Sequence, residues 1–453
     1  MLLLALACAR PPAADPSGAR AADDVRLLAD YIRDVHPDPY RFISAEAFDR
    51  LAEQTAAHLA ATPGPDPLQI GRAFHTLLAP LGDDHIEVAL PLYQQTDTPL
   101  SLLPVLPIQA GGRTFVDASA GDLPVGTELV AIDGVEMAAL YDELMPLVLA
   151  AGEIPAAHMA LLESDFARHY HLGRGMRSTY TVTVRRPDAE PEDLTLTGLS
   201  RAEFGQMQQQ RRSAPRWGTA GGDPLPVLIN GNILRIPTFG VADMDAFRAR
   251  VDALFETLGD ADALVIDLRG NVGGLRPNTF AVLDHLLSEP YAQWESATAR
   301  VDRIPRPYTG VISFPFGGSK DGLKQRLPDG LTIEGDPLAS WTEPSPAPFD
   351  GEVTVWVDGL TASAATELLI ALKKHRPAAQ IRGTEPGGEC AQHIGELPTL
   401  FTAPETGVMV LVSVLRLEHV AVEGCTRGRG QQPDQPVTYT EADFLAGRDP
   451  YRE

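Results

Sequence analysis

Two segments of the chain each pass from a short β-branched run to small residues and then to an apolar helical pattern. The first is residues 263–274, ALVIDLRGNVGG, and the second is residues 353–372, VTVWVDGLTASAATELLIAL. This order of residue types predicts a strand, a tight turn and a helix in both places. Strands and helices alternate from about residue 227 onward, which predicts a layered α/β core for the C-terminal half of the chain.

Both turns carry residues that suit acyl-transfer chemistry. Ser363 stands where the second helix begins, where unpaired amides and the positive end of the helix dipole can stabilise an oxyanion. Gly273 and Gly274 of the first turn let backbone N–H groups approach a reacting carbonyl. A serine nucleophile and a glycine oxyanion loop are what an acyl-transfer site requires. Serine is also a common helix N-cap, so the residue type alone leaves both interpretations open.

The two segments resemble the signature blocks of the S41 serine peptidases, the family of C-terminal processing (tail-specific) proteases and the tricorn core. The first resembles that family's D-L-R-x-N-x-G-G block, and the second its x-A-S-A-[SA]-E block, whose serine is the nucleophile. Residues 81–85, LGDDH, resemble the family's L-x-D-G-H. Residues 430–434, GQQPD, and 446–450, AGRDP, resemble its G-V-x-P-D and closing A-G-R-D-P. The likeness runs from about residue 22 to the C-terminus, with the motifs in the family's order.

The resemblance implies a ClpP/crotonase-like layered α/β catalytic domain with an N-terminal helical domain and a degenerate PDZ-like β-domain. Helical periodicity up to about residue 80 agrees with the helical domain, and residues 126–134, GTELVAIDG, resemble the closing half of a PDZ domain. The expected organisation is a signal or lipoprotein-type segment with a disordered tail at 1–21, the helical domain at 22–95, the PDZ-like domain at 96–205, a linker at 206–226 and the catalytic domain at 227–453.

The resemblance makes Ser363 the nucleophile, and a serine hydroxyl needs a base at neutral pH. The processing proteases take a lysine from the glycine-rich loop after the serine helix, but residues 383–390, GTEPGGEC, contain none. The tricorn-like branch takes a histidine from the N-terminal helical region, and His85 occupies the matching motif. An imidazole with an ordinary pKa near 6.5 suits a general base. The alternative is a histidine that only hydrogen-bonds a turn.

A third catalytic residue, a carboxylate that orients the imidazole, is expected shortly before the GQQPD block. Arg427 lies close to the expected position, and Glu423 is the nearest carboxylate upstream, so Glu423 is the predicted third residue. The alternative for Glu423 is a solvated turn residue. Asp84 is adjacent to His85 but is expected to point away from it.

The predicted oxyanion hole combines the amide of Ala364, next to the nucleophile, with the amide of Gly273 or Gly274. Two residues depart from the family pattern in these blocks. Val272 replaces a glycine of the loop, and Thr366 stands where glutamate is usual.

The N-terminus is apolar and ends on a cysteine, in the sequence MLLLALAC. This segment is too short to span a bilayer and resembles the end of a bacterial lipoprotein signal, which predicts lipidation of Cys8. An ordinary export signal or a start codon assigned too far downstream are the alternatives. The chain is therefore expected to be exported to the cell envelope or periplasm, with a lipid anchor.

The two remaining cysteines, Cys390 and Cys425, form an even pair in a chain expected to be exported. An even pair in an oxidising compartment suggests a disulfide. Two buried free thiols remain the alternative.

Charge and composition limit the partners of the chain. A formal net charge of −24 over 453 residues argues against nucleic acid or anionic lipid as a partner. No Cys/His spacing matches a zinc site, and we expect no metal and no other cofactor. The sequence contains no signal for the oligomeric state.

The leading functional hypothesis is an exported serine endopeptidase that cuts peptides or unfolded protein through an acyl-enzyme on Ser363, with His85 as general base. The alternative is a non-catalytic peptide- or small-ligand-binding protein on the same fold, because a fold does not fix a function. Hydrolysis of another acyl substrate, such as a wall-linked peptide, is a third possibility.

The lipoprotein hypothesis predicts that Cys8→Ser releases the chain from membranes into the soluble periplasmic fraction. Cell fractionation and mass spectrometry of the N-terminus would measure this. A wild-type chain that is already soluble and carries no fatty acid would contradict the hypothesis.

Overall fold

The structure is a computed structural model that describes residues 16–94, 99–213, 223–313, 332–334, 344–345 and 347–452. The α-helices in these residues are α1 (Gly18–Val35), α2 (Ala45–Ala60), α3 (Pro67–Leu78), α4 (Pro91–Gln94), α5 (Met137–Leu144), α6 (Pro155–Ser164), α7 (Phe166–Arg174), α8 (Arg201–Gln209), α9 (Met244–Leu258), α10 (Arg276–Leu283), α11 (Ala364–His375) and α12 (Glu441–Ala446). The strands are β1 (Glu87–Ala89), β2 (Val105–Ala110), β3 (Arg113–Ser119), β4 (Glu128–Ile132), β5 (Val135–Glu136), β6 (Thr179–Arg185), β7 (Glu192–Thr197), β8 (Val227–Ile229), β9 (Ile233–Arg235), β10 (Ala263–Asp267), β11 (Trp294–Ala299), β12 (Ile312–Ser313), β13 (Thr332–Glu334), β14 (Glu352–Val357), β15 (Gln380–Gly383), β16 (Gln392–Thr402), β17 (Met409–His419) and β18 (Gln435–Pro436). Cys8 lies outside the described residues. Within them, every helix is too short or too polar to cross a membrane.

Helices α1 to α3 form the expected N-terminal helical region. The side chains of Ser17, Ser44 and Asp66 cap the three helices by accepting backbone N–H groups of the first turn. A 3-10 turn extends α3 to Leu81, and Gly82 ends it with a left-handed φ of 63°. The chain then enters β1, which pairs with β17, so the residues between Gly82 and β1 are held at both ends.

The middle of the chain forms an antiparallel sheet in the order β2-β3-β4-β6-β7, with β5 paired to β4. Strand β6 has the alternating burial that its sequence predicts. The PDZ-like character of this region stays a prediction. Helix α8 covers the first residues of the segment predicted as a linker. The Gly152 N–H donates to the carbonyl of Gly82 at 2.9 Å, so this region also supports the loop that follows α3.

A mainly parallel sheet in the order β18-β15-β14-β10-β9-β8 contains the two strands predicted from the signature segments. Strands β10 and β14 are neighbours in parallel register, with Asp267 opposite Trp356. Their inward side chains pack with α11 in a continuous apolar core that includes Ile266, Val355 and Leu368. Because the carboxyl ends of parallel strands lie at the same sheet edge, the two turns that follow β10 and β14 meet there. The predicted α/β fold is confirmed.

A third sheet, with the order β12-β16-β17-β11-β13, carries the long antiparallel hairpin of β16 and β17. One apolar cluster joins the inner face of this hairpin to the N-terminal helices and to the middle sheet; it includes Phe401, Val410 and Val412 of the hairpin and Leu28 and Phe74 of the helices. A disulfide joins Cys390, just before β16, to Cys425, after β17, across a sequence separation of 35 residues. The base of the hairpin is therefore linked covalently.

The disulfide predicts a redox-dependent stability. Reduction should lower the free energy of unfolding by about 2–4 kcal/mol, because the unfolded chain regains the freedom that a closed loop removes. Denaturant unfolding with and without reductant measures the difference, and the Cys390→Ser/Cys425→Ser double variant, which should be insensitive to reductant, is the control. Alkylation of both cysteines in the denatured, unreduced wild type would contradict the prediction.

Candidate active site

Ser363 lies in the turn between β14 and α11, in an unusual backbone conformation. Its φ of 54° and ψ of −127° lie in a region that non-glycine residues rarely adopt, and such strain concentrates at functional sites. Its side chain makes no capping hydrogen bond to α11. Instead, Ser363 Oγ lies 2.9 Å from Nε2 of His85. The N-cap interpretation of Ser363 is therefore wrong.

The serine turn and the glycine turn are bonded directly to each other. The Gly270 N–H donates to Asp358 Oδ1 at 3.0 Å, and the Ala362 N–H donates to the carbonyl of Asn271 at 3.1 Å. These bonds fix the glycine loop against the residue that precedes the nucleophile.

Gly273 packs directly against the nucleophile. A Cβ on Gly273, which has a φ of 98°, would lie 2.6 Å from Ser363 Cβ and 2.9 Å from the nitrogen of Ala364, so no side chain fits. The Gly273 N–H itself donates to Asn271 Oδ1 at 2.9 Å. In the described part of the chain, the N–H groups of Ala364 and Gly274 make no hydrogen bond. Of the three predicted oxyanion donors, these two have the N–H free.

The loop after α3 holds His85 through two consecutive aspartates. The His85 backbone N–H donates to Asp83 Oδ1 at 2.9 Å, and Asp83 Oδ2 lies 3.0 Å from Nε2 of the fully buried His36. The His85 ring presents Nδ1 to Asp84 Oδ1 at 2.9 Å. Asp84 was expected to point away from His85, and this expectation is wrong. Ser363, His85 and Asp84 form one continuous hydrogen-bonded chain.

Glu423, the predicted third residue, lies on an exposed turn after β17. Its carbonyl accepts a hydrogen bond from Gln431 Nε2 at 3.1 Å, and in the described residues no ion pair or hydrogen bond joins its carboxylate to His85. The carboxylate beside the ring is that of Asp84. The LGDDH motif includes Asp84, but a sequence motif does not show where a side chain points.

The environment of His85 favours the imidazolium. Burial alone would lower the pKa of His85, but the charge and hydrogen bond of Asp84, together with the charges of Asp83 and Glu396, raise it to about 9. The neutral imidazole, which can accept a proton from Ser363, therefore accumulates as the pH rises toward 9.

A buried polar cluster that the sequence analysis missed supports the other side of His85. The His393 ring stacks on the His85 ring with centroids 5.3 Å apart, and its Nδ1 lies 2.7 Å from His419 Nε2. Its Nε2 lies 3.2 Å from Glu367, which Arg276 holds through two bonds of 2.8 Å. Burial lowers the pKa of His393 well below its ordinary value, whereas the Arg276 charge outweighs burial and lowers the pKa of Glu367 to about 2. The sequence contained one signal for this cluster. Glu367 directly follows Thr366, which stands where the family motif has glutamate.

Two groups of described residues could each offer three ligand atoms to a metal ion: Glu367 with His393 and His419, and Asp83 with Asp84 and His85. In both groups the side-chain atoms already make hydrogen bonds or ion pairs with one another. A cation would have to replace these bonds. The second group also contains His85, whose Nε2 faces Ser363.

Residues 232–435 match the model of peptidase family S41. The predicted resemblance to this family and the prediction of a serine-type peptidase are therefore confirmed. The comparison with curated proteins found no match.

Two similar solved structures cover nearly the whole chain. The structure of mature CPAF complexed with lactacystin is 15% identical and has a TM-score of 0.65, over 95% of this chain and 96% of that chain. The crystal structure of mature CPAF is 15% identical and has a TM-score of 0.63, over 95% of this chain and 94% of that chain. At this identity the likeness shows the fold alone.

The raised pKa of His85 predicts that the reactivity of Ser363 increases with pH through about 9. In Asp84→Asn the profile should move to lower pH, because loss of the negative charge lowers the pKa of the imidazole. The rate of labelling by a fluorophosphonate probe, measured from pH 6 to 10.5, gives both profiles.

The control is Asp142→Asn, which removes an exposed carboxylate on α5 and should leave the midpoint unchanged. A wild-type midpoint near 6.5, or the same midpoint in Asp84→Asn, would contradict the proposed influence of Asp84.

Proposed function

We propose that this S41 peptidase hydrolyses peptide bonds through an acyl-enzyme on Ser363, with His85 as the general base. The observation that carries the proposal is the 2.9 Å hydrogen bond between Ser363 Oγ and His85 Nε2, which joins residues 278 positions apart in the sequence. A serine within hydrogen-bond reach of a base is the arrangement that nucleophilic catalysis requires.

Each step of the proposed reaction is assigned to His85, to Ser363 or to a backbone N–H group of the two turns. His85 accepts the Ser363 proton as Oγ attacks the peptide carbonyl, and the N–H groups of Ala364 and Gly274 stabilise the oxyanion. The imidazolium then gives its proton to the leaving amine. A water molecule repeats the sequence on the acyl-enzyme and releases the second product.

In this mechanism Asp84 takes the role that the sequence analysis gave to Glu423. It accepts the Nδ1–H of His85, keeps Nε2 directed at Ser363 and stabilises the imidazolium as it forms. Asp83 holds the backbone of the same residue and is in turn fixed by buried His36. The base is positioned from both its ring and its main chain.

Among the described residues, the contacts of Lys373 do not support it as the base. The Nζ of Lys373, on the helix that Ser363 begins, donates to the carbonyl of Ala379 at 3.0 Å and pairs with Asp434 at 3.2 Å. These contacts direct the ammonium away from the start of the helix, where the nucleophile lies.

The proposed substrate is a peptide or an unfolded protein segment that lies along the glycine loop. Val272 and Leu275 flank Gly273 and Gly274, and their side chains are 50% and 40% exposed. Exposed apolar side chains beside a reactive serine favour an extended peptide as the bound chain, added as a strand.

We also propose that the chain is exported and held at the membrane through a lipid on Cys8. The apolar run that ends at Cys8 supports the anchor. The Cys390–Cys425 disulfide supports an oxidising compartment.

The mechanism predicts that Ser363→Ala and His85→Ala each remove nearly all hydrolysis. The double variant should be little worse than either single variant, because the two side chains act as one unit. Turnover of an unstructured polypeptide and labelling by a fluorophosphonate probe measure this, with Lys373→Ala as the control that keeps activity.

Full activity in His85→Ala would assign the base to another residue. Absence of labelling in folded wild type would overturn the peptidase proposal and favour a binding protein on the same fold.

A further inference from the structure

A pocket with three arginines in its lining lies beside the proposed catalytic centre. Its volume is about 370 Å³, and it is lined by Asp38, Arg41, Phe42, Arg416 and Arg427. Asp38 and Arg41 also line a smaller cavity that reaches Asp83, Asp84 and His393. The two cavities therefore share part of their lining, and the wall of the larger one carries three guanidinium groups and one carboxylate in a chain with a net charge of −24.

The acidic groups around the pocket are already engaged with two of the arginines. Arg416 pairs with Asp38 at 3.2 Å and with Glu418 at 3.1 Å. Arg41 pairs with the buried Glu389. These ion pairs engage Arg41 and Arg416, and Arg427 is the third guanidinium of the lining.

Arg427 is exposed and has a different kind of partner. Its Nη2 donates to Gln392 Oε1 at 3.3 Å, and among the described residues no carboxylate lies within ion-pair distance of it. Its charge lies close enough to Arg41 to act with burial in lowering the pKa of that guanidinium. An anion in the pocket would relieve this repulsion.

Two guanidinium nitrogens of the lining arginines have no hydrogen-bond partner in the structure. Nε of Arg41 and Nε of Arg416 are buried and make no hydrogen bond. The Arg41 side chain is only 9% exposed, and its guanidinium lies over the Phe42 ring at 5.0 Å, which fixes its direction. Guanidinium groups held in this way match the planar geometry of a carboxylate.

We propose that this pocket binds a carboxylate of the peptide substrate, so that the enzyme prefers acidic peptides. The inference rests on the proposed function, because it takes the ligand to be the chain that Ser363 cleaves. The carboxylate has two possible sources: an aspartate or glutamate side chain near the scissile bond, or the C-terminus of the peptide. Arg427, whose charge is unpaired, is the residue that distinguishes acidic from neutral substrates.

The test compares matched peptides that differ only in these carboxylates. Cleavage of a mixed peptide library by wild type first identifies a cleaved sequence, and that sequence is then made with glutamate or glutamine at each nearby position and with a free or amidated C-terminus. Wild type should cleave the best acidic peptide with a kcat/KM about tenfold above that of its neutral match, as expected for one charge-assisted hydrogen bond, mainly through KM. High ionic strength should reduce the difference.

The variants Arg427→Gln and Arg427→Glu test the assignment to this residue. In Arg427→Gln, the ratio of kcat/KM for the acidic peptide to kcat/KM for its neutral match should fall toward one. In Arg427→Glu, a matched peptide with lysine at the same position should be cleaved with a higher kcat/KM than the acidic peptide. Arg186→Gln, which removes an exposed arginine of the middle sheet, should keep the wild-type ratio. If wild type loses the higher kcat/KM only when the C-terminus is amidated, the bound carboxylate is the C-terminus. If wild type loses it only when glutamate is replaced by glutamine, the bound carboxylate is a side chain.

Fluorophosphonate labelling and peptide binding separate this inference from the proposed function. Wild type that is labelled at Ser363 but cleaves acidic and neutral peptides equally would overturn the pocket assignment and leave the mechanism intact. Fluorescence anisotropy with the Ser363→Ala variant measures peptide affinity without hydrolysis. An acidic peptide that binds more tightly than its neutral match, with the difference lost on adding Arg427→Gln, would support the pocket even if labelling fails. Equal affinities would overturn it.

Discussion

The parallel pairing of β10 with β14 is the constraint on which the site depends. Because both strands end at the same sheet edge in fixed register, the glycine loop and the serine turn meet, and direct backbone and side-chain bonds hold them together. The glycine at position 273 then permits an approach that any Cβ would prevent, since it would lie 2.6 Å from Ser363 Cβ. Ser363 and the predicted oxyanion donors thus lie in one hydrogen-bonded unit of the α/β core.

The base reaches this unit from a different part of the chain. The loop between α3 and β1 is fixed by the pairing of β1 with β17, by a bond from the middle region to Gly82, and by the buried pair of His36 and Asp83. Buried charges are costly unless they are paired and hydrogen-bonded, and the cluster around His85 meets this condition. Arg276 pairs with Glu367, Glu367 contacts His393, and His393 stacks on His85. The position of the imidazole therefore depends on contacts from several elements at once.

In the proposed mechanism, Asp84 orients His85, and Arg427 lies near the position where the orienting carboxylate was expected. Near the position where a carboxylate is expected to orient the base, the chain has an arginine, and the carboxylate at the ring instead comes from the residue next to His85. The arginine lines a pocket whose other basic groups are paired, while its own charge is unpaired in the described residues. In the proposed mechanism, His85 is oriented by its sequence neighbour Asp84. Arg427, before the GQQPD block, is then free to contact the substrate.

The sequence by itself determined the local secondary structure and the types of side chain that the site contains. The two strand–turn–helix units and the position of Ser363 follow from periodicity and turn residues, which act over a few positions. Family motifs pointed to His85, but the 2.9 Å contact across 278 positions exists only because two sheets and a helical layer pack together. Tertiary structure decided three features of the site: the direction of the Asp84 side chain, the position of Glu423 on an exposed turn, and the Glu367–His393–His419 cluster. Neighbours in the sequence do not fix where a side chain points. The same is true of the arginine pocket, whose residues come from both ends of the chain and have a common function only once the fold brings their charges together.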